Sequence, residues 1–85
     1  MFYVYVIQNQ DCGDLYFGYS SNLKKRILDH NSGLSRYTKK SSAWELIYYE
    51  AYKNKKDAQK REQQIKHHGR VYSQLKRRIL GGGEN

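Results

Sequence analysis

The stretch YVYVIQNQDCGDLYFGYS, residues 3–20, decides the fold, and it holds four of the chain's nine tyrosines. Residues 2–8, FYVYVIQ, are aromatic and β-branched and read as a strand. NQDCGD follows as a turn, and residues 15–19, LYFGY, read as a second strand, so the two pair as an antiparallel hairpin. On alternation Tyr3, Tyr5 and Ile7 share one face, and Tyr16, Gly18 and Ser20 share one on the partner strand. Tyrosine suits strands, so the rings could serve the sheet alone. Whether any phenol is there for its oxygen depends on the rest of the chain.

Ser20 or Ser21 can cap a helix over residues 22–31, NLKKRILDHN, ending near Ser32 and Gly33. Leu23 and Ile27 share its apolar face with Leu28 flanking, and Arg26 and His30 form an adjacent i,i+4 stripe. Residues 33–42, GLSRYTKKSS, have no periodicity and read as an exposed basic loop. Residues 43–52, AWELIYYEAY, make a third strand. Asn54 caps a second helix, with Asp57 at the capping-box position, running to about His68 with Gly69 as its C′ residue. A last helix over 70–80 puts Val71, Leu75 and Ile79 on one stripe. The order is ββαβαα, an α+β fold: a three-stranded, mainly antiparallel sheet with short flanking helices. Residues 1–80 form one domain and 81–85 a flexible tail.

Eighty-five residues suffice for one small core. The start has no basic n-region, so no signal peptide is expected. No apolar run approaches the roughly 18 residues that span a bilayer, so a cytoplasmic protein with no membrane partner is expected. The single Cys12 excludes an internal disulfide and thiolate-cluster zinc sites. The net charge is +8, and between residues 53 and 80 ten cations stand against Asp57 and Glu62. A plain solvated surface mixes the signs more evenly, so a polyanionic partner is expected. His30, His67 and His68 have no metal-ligand spacing, and Cys12 has no flank that would activate it.

Glu62 is the oddity among the cations. With Ala58 and Ile65 on the same helical face, it points inward or toward a cleft. Its plain alternative is an i,i+4 pair with Lys66.

The tripeptide YVY at 3–5, ten intervening residues and YFG at 16–18 resemble the two-part signature of the GIY-YIG nuclease superfamily. The resemblance continues through NLKKRILDHN at 22–31 and KKDAQKREQQIKHHGR at 55–70, in the family's element order, and is closest to small stand-alone members. It marks Tyr5 and Tyr16 as the signature tyrosines, Arg26 as the helix arginine and His30 as the histidine one turn later. Glu62 matches the metal-holding carboxylate and Gly18 the glycine of the second tripeptide. Tyr3 and Phe17 depart from the signature, and residues 70–80 lack an asparagine that many members carry in this region.

The resemblance implies a metal-dependent endonuclease hydrolysing DNA phosphodiesters, with one Mg²⁺ (or Mn²⁺) per site; RNA stays open as a substrate. One carboxylate suits Mg²⁺, which keeps waters and binds substrate phosphate. Arg26 would neutralise charge on the phosphoryl group. Lys24, Lys25, Arg26 and the metal ion would favour a phenolate, so Tyr5 or Tyr16 could accept a proton from water, directly or through His30. Tyr5 is the favoured base, with Tyr16 positioning water and phosphate. A small Gly18 would let a phosphate approach the backbone.

Loop residues Arg36, Lys39 and Lys40, with Lys66, Arg70, Lys76 and Arg77, are expected on nucleic-acid phosphates, and Tyr37 on an unpaired base. A domain this small implies low sequence specificity, or specificity supplied by a homodimer or a partner protein. When bound to DNA it would be nucleoid-associated. The alternative reading is a non-catalytic nucleic-acid-binding module that keeps the nuclease fold.

Overall fold

The computed structural model describes residues 1–32 and 43–81. The order is β1 (Phe2–Asn9), β2 (Leu15–Ser20), α1 (Leu23–Asn31), β3 (Trp44–Tyr52), α2 (Lys55–His67) and α3 (Gly69–Leu80). The sheet is antiparallel throughout, in the order β2-β1-β3. The α+β layout ββαβαα expected from the sequence is the one observed.

β1 is the central strand, and this explains its composition. A strand covered on both faces has no use for polar alternation; Val4, Tyr5, Val6 and Ile7 are all buried. Val4, Val6 and Phe17 pack on one face against Ala58 and Ile65 of α2 and Leu75 of α3. Each such aliphatic side chain contributes roughly 2 kcal/mol by leaving water. The opposite face carries Tyr3, Tyr5 and Ile7, and α1 lies against it. In the hairpin Tyr5 stands opposite Gly18 and Ile7 opposite Tyr16, while the pairing with β3 shifts register between Val6 and Ile7.

Asn9 closes the hairpin. It is buried, and its Oδ1 accepts from the backbone N–H of Asp11 at 2.8 Å and of Cys12 at 3.2 Å. Gly13 then turns the chain at φ 82°, a left-handed conformation that favours glycine.

Three local expectations change. The cap of α1 is Asn22, whose side chain accepts from Lys25 N, while Ser20 Oγ accepts from Asn22 N. Asn54 caps α2 as expected but bonds Lys56 N rather than Asp57 N. Gly69 is no left-handed terminator: His68 is the extended residue between α2 and α3, and Gly69 opens α3.

Candidate active site

Helix α1 is short and polar, and what it buries is a histidine. His30 is fully enclosed, whereas Leu28, two positions earlier, is 62% exposed. A buried imidazole needs a polar partner, and the sheet supplies one: the Tyr5 hydroxyl lies 2.7 Å from His30 Nε2. Burial pushes His30 down to about 4, the Arg26 charge adds to that, and Asp29 opposes it. The ring is therefore neutral near pH 7.

Tyr5 is itself fully buried. Burial pushes its phenol up to about 12, outweighing the Arg26 charge and the Arg26 hydrogen bond that pull it down. The cations of the site were expected to favour phenolate; at Tyr5 desolvation wins. The cation that reaches Tyr5 is Arg26. Lys25 is engaged on Asp29 at 3.2 Å, and Lys24 lines a groove on the neighbouring flank of α1.

Gly18 has a different reason from the expected one. A Cβ built there would land on the Tyr5 phenol oxygen and the ring carbon that bears it. The missing side chain makes room for Tyr5, so that space is not an open approach for a phosphate.

Tyr16 completes the cluster from the edge strand β2. Its half-buried ring meets His30 edge-on at 5.0 Å between centroids and Tyr5 at 6.5 Å. From α2, Lys66 Nζ lies 5.9 Å from the centre of the Tyr16 ring and 3.0 Å from Glu62 Oε2. Both readings of Glu62 therefore hold together. Its carboxylate is turned in, with a side chain 17% exposed, and it is paired with Lys66. Its charge also reaches the Tyr5 phenol. The structure thus brings together Tyr5, Tyr16, Arg26, His30, Gly18, Glu62 and Lys66.

Arg70, Lys76 and Arg77 are exposed on α3, with Lys76 over the Tyr72 ring at 5.8 Å. Arg36, Tyr37, Lys39 and Lys40 lie outside the described residues. Arg61, counted among the basic surface, is committed elsewhere. It forks onto Glu50 at 2.8 and 3.0 Å, and the Tyr48 and Tyr52 hydroxyls donate to the same carboxylate at 2.6 Å each. The only sequence hint of this cluster is the run YYEAY at 48–52 facing a helix arginine.

Sequence reasoning also missed Asn31. Its amide bonds both backbone groups of Trp44 at 2.9 Å, fastening the end of α1 beside His30 to the start of β3.

Among the described residues no three His, Cys, Asp or Glu side chains gather to hold a metal ion. A single hard carboxylate fits an ion such as Mg²⁺ that takes its other ligands from water and phosphate. The Lys66 ammonium is a cation already seated on that carboxylate, next to the Tyr16 ring.

Two phenols, an imidazole, a guanidinium and one carboxylate, gathered where α1 and α2 meet a hairpin, make a compact site for moving protons and steadying an anion. The GIY-YIG catalytic-domain family model matches residues 1–77, and the chain belongs to that nuclease family. It is 43% identical over 67 residues to a UPF0213 protein of Clostridium perfringens, covering 78% of this chain and 71% of the relative. A UPF0213 protein of Staphylococcus saprophyticus is 42% identical over 65 residues, covering 75% and 78%. The solution NMR structure of a UPF0213 protein from Bacillus halodurans superposes with a TM-score of 0.56 at 33% identity, covering 99% of this chain and 89% of that one. No helix among the described residues is long and apolar enough to cross a membrane.

Proposed function

We propose that this chain is a metal-dependent endonuclease that hydrolyses DNA phosphodiesters with low sequence specificity. The observation that carries the reading is the convergence of Tyr5, Tyr16, Arg26 and His30 on one another, with the Glu62–Lys66 pair at the edge. Exposed cations on α2 and α3 supply the electrostatic attraction for a phosphate backbone.

Arg26 is the fixed donor for a phosphoryl oxygen and holds it against the site. Tyr5 stays protonated, because its phenol is buried and raised to about 12. It orients neutral His30 and lends rigidity to the cluster. Tyr16, on the edge strand and less buried than Tyr5, first releases its own phenol proton to solvent and then, as the phenolate, accepts the proton of the attacking water. That reverses the order preferred on sequence, and the reason is desolvation. Glu62 would hold the divalent ion, with Lys66 giving way. Once bound, the ion supplies Lewis-acid stabilisation of the phosphate and the departing 3′ oxygen.

The Glu62–Lys66 pair also favours a second reading, a non-catalytic nucleic-acid-binding module whose carboxylate is permanently neutralised. Incubation of supercoiled plasmid with Mg²⁺ or Mn²⁺, beside an EDTA control, separates the two. The nuclease nicks with metal; the binding module retards the plasmid in a gel and leaves it closed.

A further inference from the structure

Beside the Tyr–His cluster, on the next flank of α1, runs an apolar groove of about 650 Å³, and nothing in the proposed chemistry uses it. Tyr3 and Tyr49 form its aromatic floor, edge-to-face with centroids 6.0 Å apart. Leu28 and Tyr49 line it while 62% and 53% exposed, so two of the most exposed large apolar side chains fall in one place. Exposed apolar residues scattered singly need no explanation; gathered in a groove they mark a binding surface. Leu23 and Ile27 form its wall, and among the described residues the lining includes Lys24 and no acid.

We propose that this groove receives an unstacked base of the DNA strand whose phosphate is held at Arg26. The inference rests on the DNA-hydrolase reading. Arg26 and Ile27 are consecutive, so the phosphate position and the groove are two flanks of one helix only about 13 Å long. A strand that delivers a phosphate to one flank brings a neighbouring nucleotide to the other. The exposed face of Tyr49 offers a stacking surface that tolerates any base, and Lys24 faces the adjoining backbone. A second copy of this chain is the poorer occupant. Each copy carries net charge +8, and a self-contact would set the two Lys24 side chains against each other.

The test uses the full chain in EDTA, so that binding is read without cleavage. Oligonucleotides carry one 2-aminopurine, placed in an unpaired segment or in a fully paired duplex. Wild type should change the emission of the unpaired analogue. Tyr49→Ala should lose that change and bind the unpaired oligonucleotide roughly 5- to 150-fold more weakly. Its affinity for the paired duplex should be unchanged, and Tyr49→Phe should keep both properties. Leu28→Ser, at another exposed position, should weaken the emission change in the same direction. Binding without any emission change overturns the groove assignment alone. So does equal weakening on unpaired and paired DNA, or a wild-type dimer in sedimentation that Tyr49→Ala dissolves. Failure to bind any oligonucleotide overturns the DNA-hydrolase reading and this inference with it.

Discussion

The Tyr5 hydroxyl and His30 Nε2 lie 2.7 Å apart with both side chains shut off from solvent. The bond joins the central strand to a short helix that contributes little other burial. A buried phenol and a buried imidazole satisfy each other here, and removing either one takes a hydrogen bond from the other where water cannot replace it. The pair is therefore at once part of the core and part of the proposed site.

The burial of His30, with the Arg26 charge beside it, sets a pH dependence of stability. The His30 pKa is about 4 in the fold against 6.5 as its ordinary value. Between those values the unfolded chain binds a proton that the native chain refuses, so stability falls as pH drops from about 6.5 toward 4. The full loss across that window is on the order of 3 kcal/mol. Urea midpoints measured across this window should fall for wild type. His30→Gln should be less stable at pH 7 yet show a shallower decline; an unchanged decline would contradict the buried neutral histidine.

Gly18→Ala forces a methyl group into the space held by the Tyr5 phenol. Tyr5 is buried and anchored, so it cannot swing aside cheaply. Overpacking of this kind costs about 1–3 kcal/mol, which lowers the melting temperature by several degrees in a domain this small. A thermal melt indistinguishable from wild type would contradict the close approach of Tyr5 and Gly18.

Arg61 and Arg70 should behave differently although both are arginines in the basic C-terminal half. Arg61→Gln breaks the fork onto Glu50, leaves that carboxylate with only its tyrosine donors, and should cost about 1–3 kcal/mol of stability. Its effect on the salt dependence of DNA binding should be small. Arg70→Gln should leave stability alone and reduce the slope of log affinity against log salt by about 1, from roughly −4.5 if five phosphates are engaged. Denaturation and salt titrations on the two variants check both halves.

The phenols separate by the same logic. Tyr16→Phe should lower the nicking rate about 10²- to 10⁴-fold, the range for losing a positioned base, while DNA affinity is retained. Tyr5→Phe leaves buried His30 without its phenol partner, so part of its defect should appear as lost stability in a thermal melt. A Tyr16→Phe enzyme with wild-type rate would return the base role to Tyr5.

The hairpin and the three helices were legible because their signals are local: a β-branched and aromatic run, an Asn or Gly at each turn, a 3.6-residue stripe. The run of residues 4–7 even carried the information that β1 is central, since buried-on-both-faces strands do not alternate. That Tyr5, Tyr16, Arg26, His30 and Glu62 lie together was legible through motif spacing. What could not be read was the balance of forces at each of them. Neighbouring cations argued for a phenolate at Tyr5, yet burial raises the phenol, and burial depends on a helix 25 residues away. Gly18 carried a residue type without its neighbour, so open space and space filled by Tyr5 looked alike. Arg61 and Asn31 were hidden for the same reason: their partners, Glu50 and Trp44, are fixed by how β3 sits against helices distant in sequence.

The central claim is that the Tyr5–Tyr16–Arg26–His30 cluster cuts DNA with the help of a divalent ion at Glu62. Nicking of supercoiled plasmid by wild type and Glu62→Gln, in Mg²⁺, in Mn²⁺ and in EDTA, tests it most directly. Wild type should nick with metal and not in EDTA, and Glu62→Gln should retain DNA binding and lose nicking at least 100-fold, on the scale of one transition-state contact. Metal-dependent nicking undiminished in Glu62→Gln, or wild type that binds plasmid and never nicks it, would contradict the account.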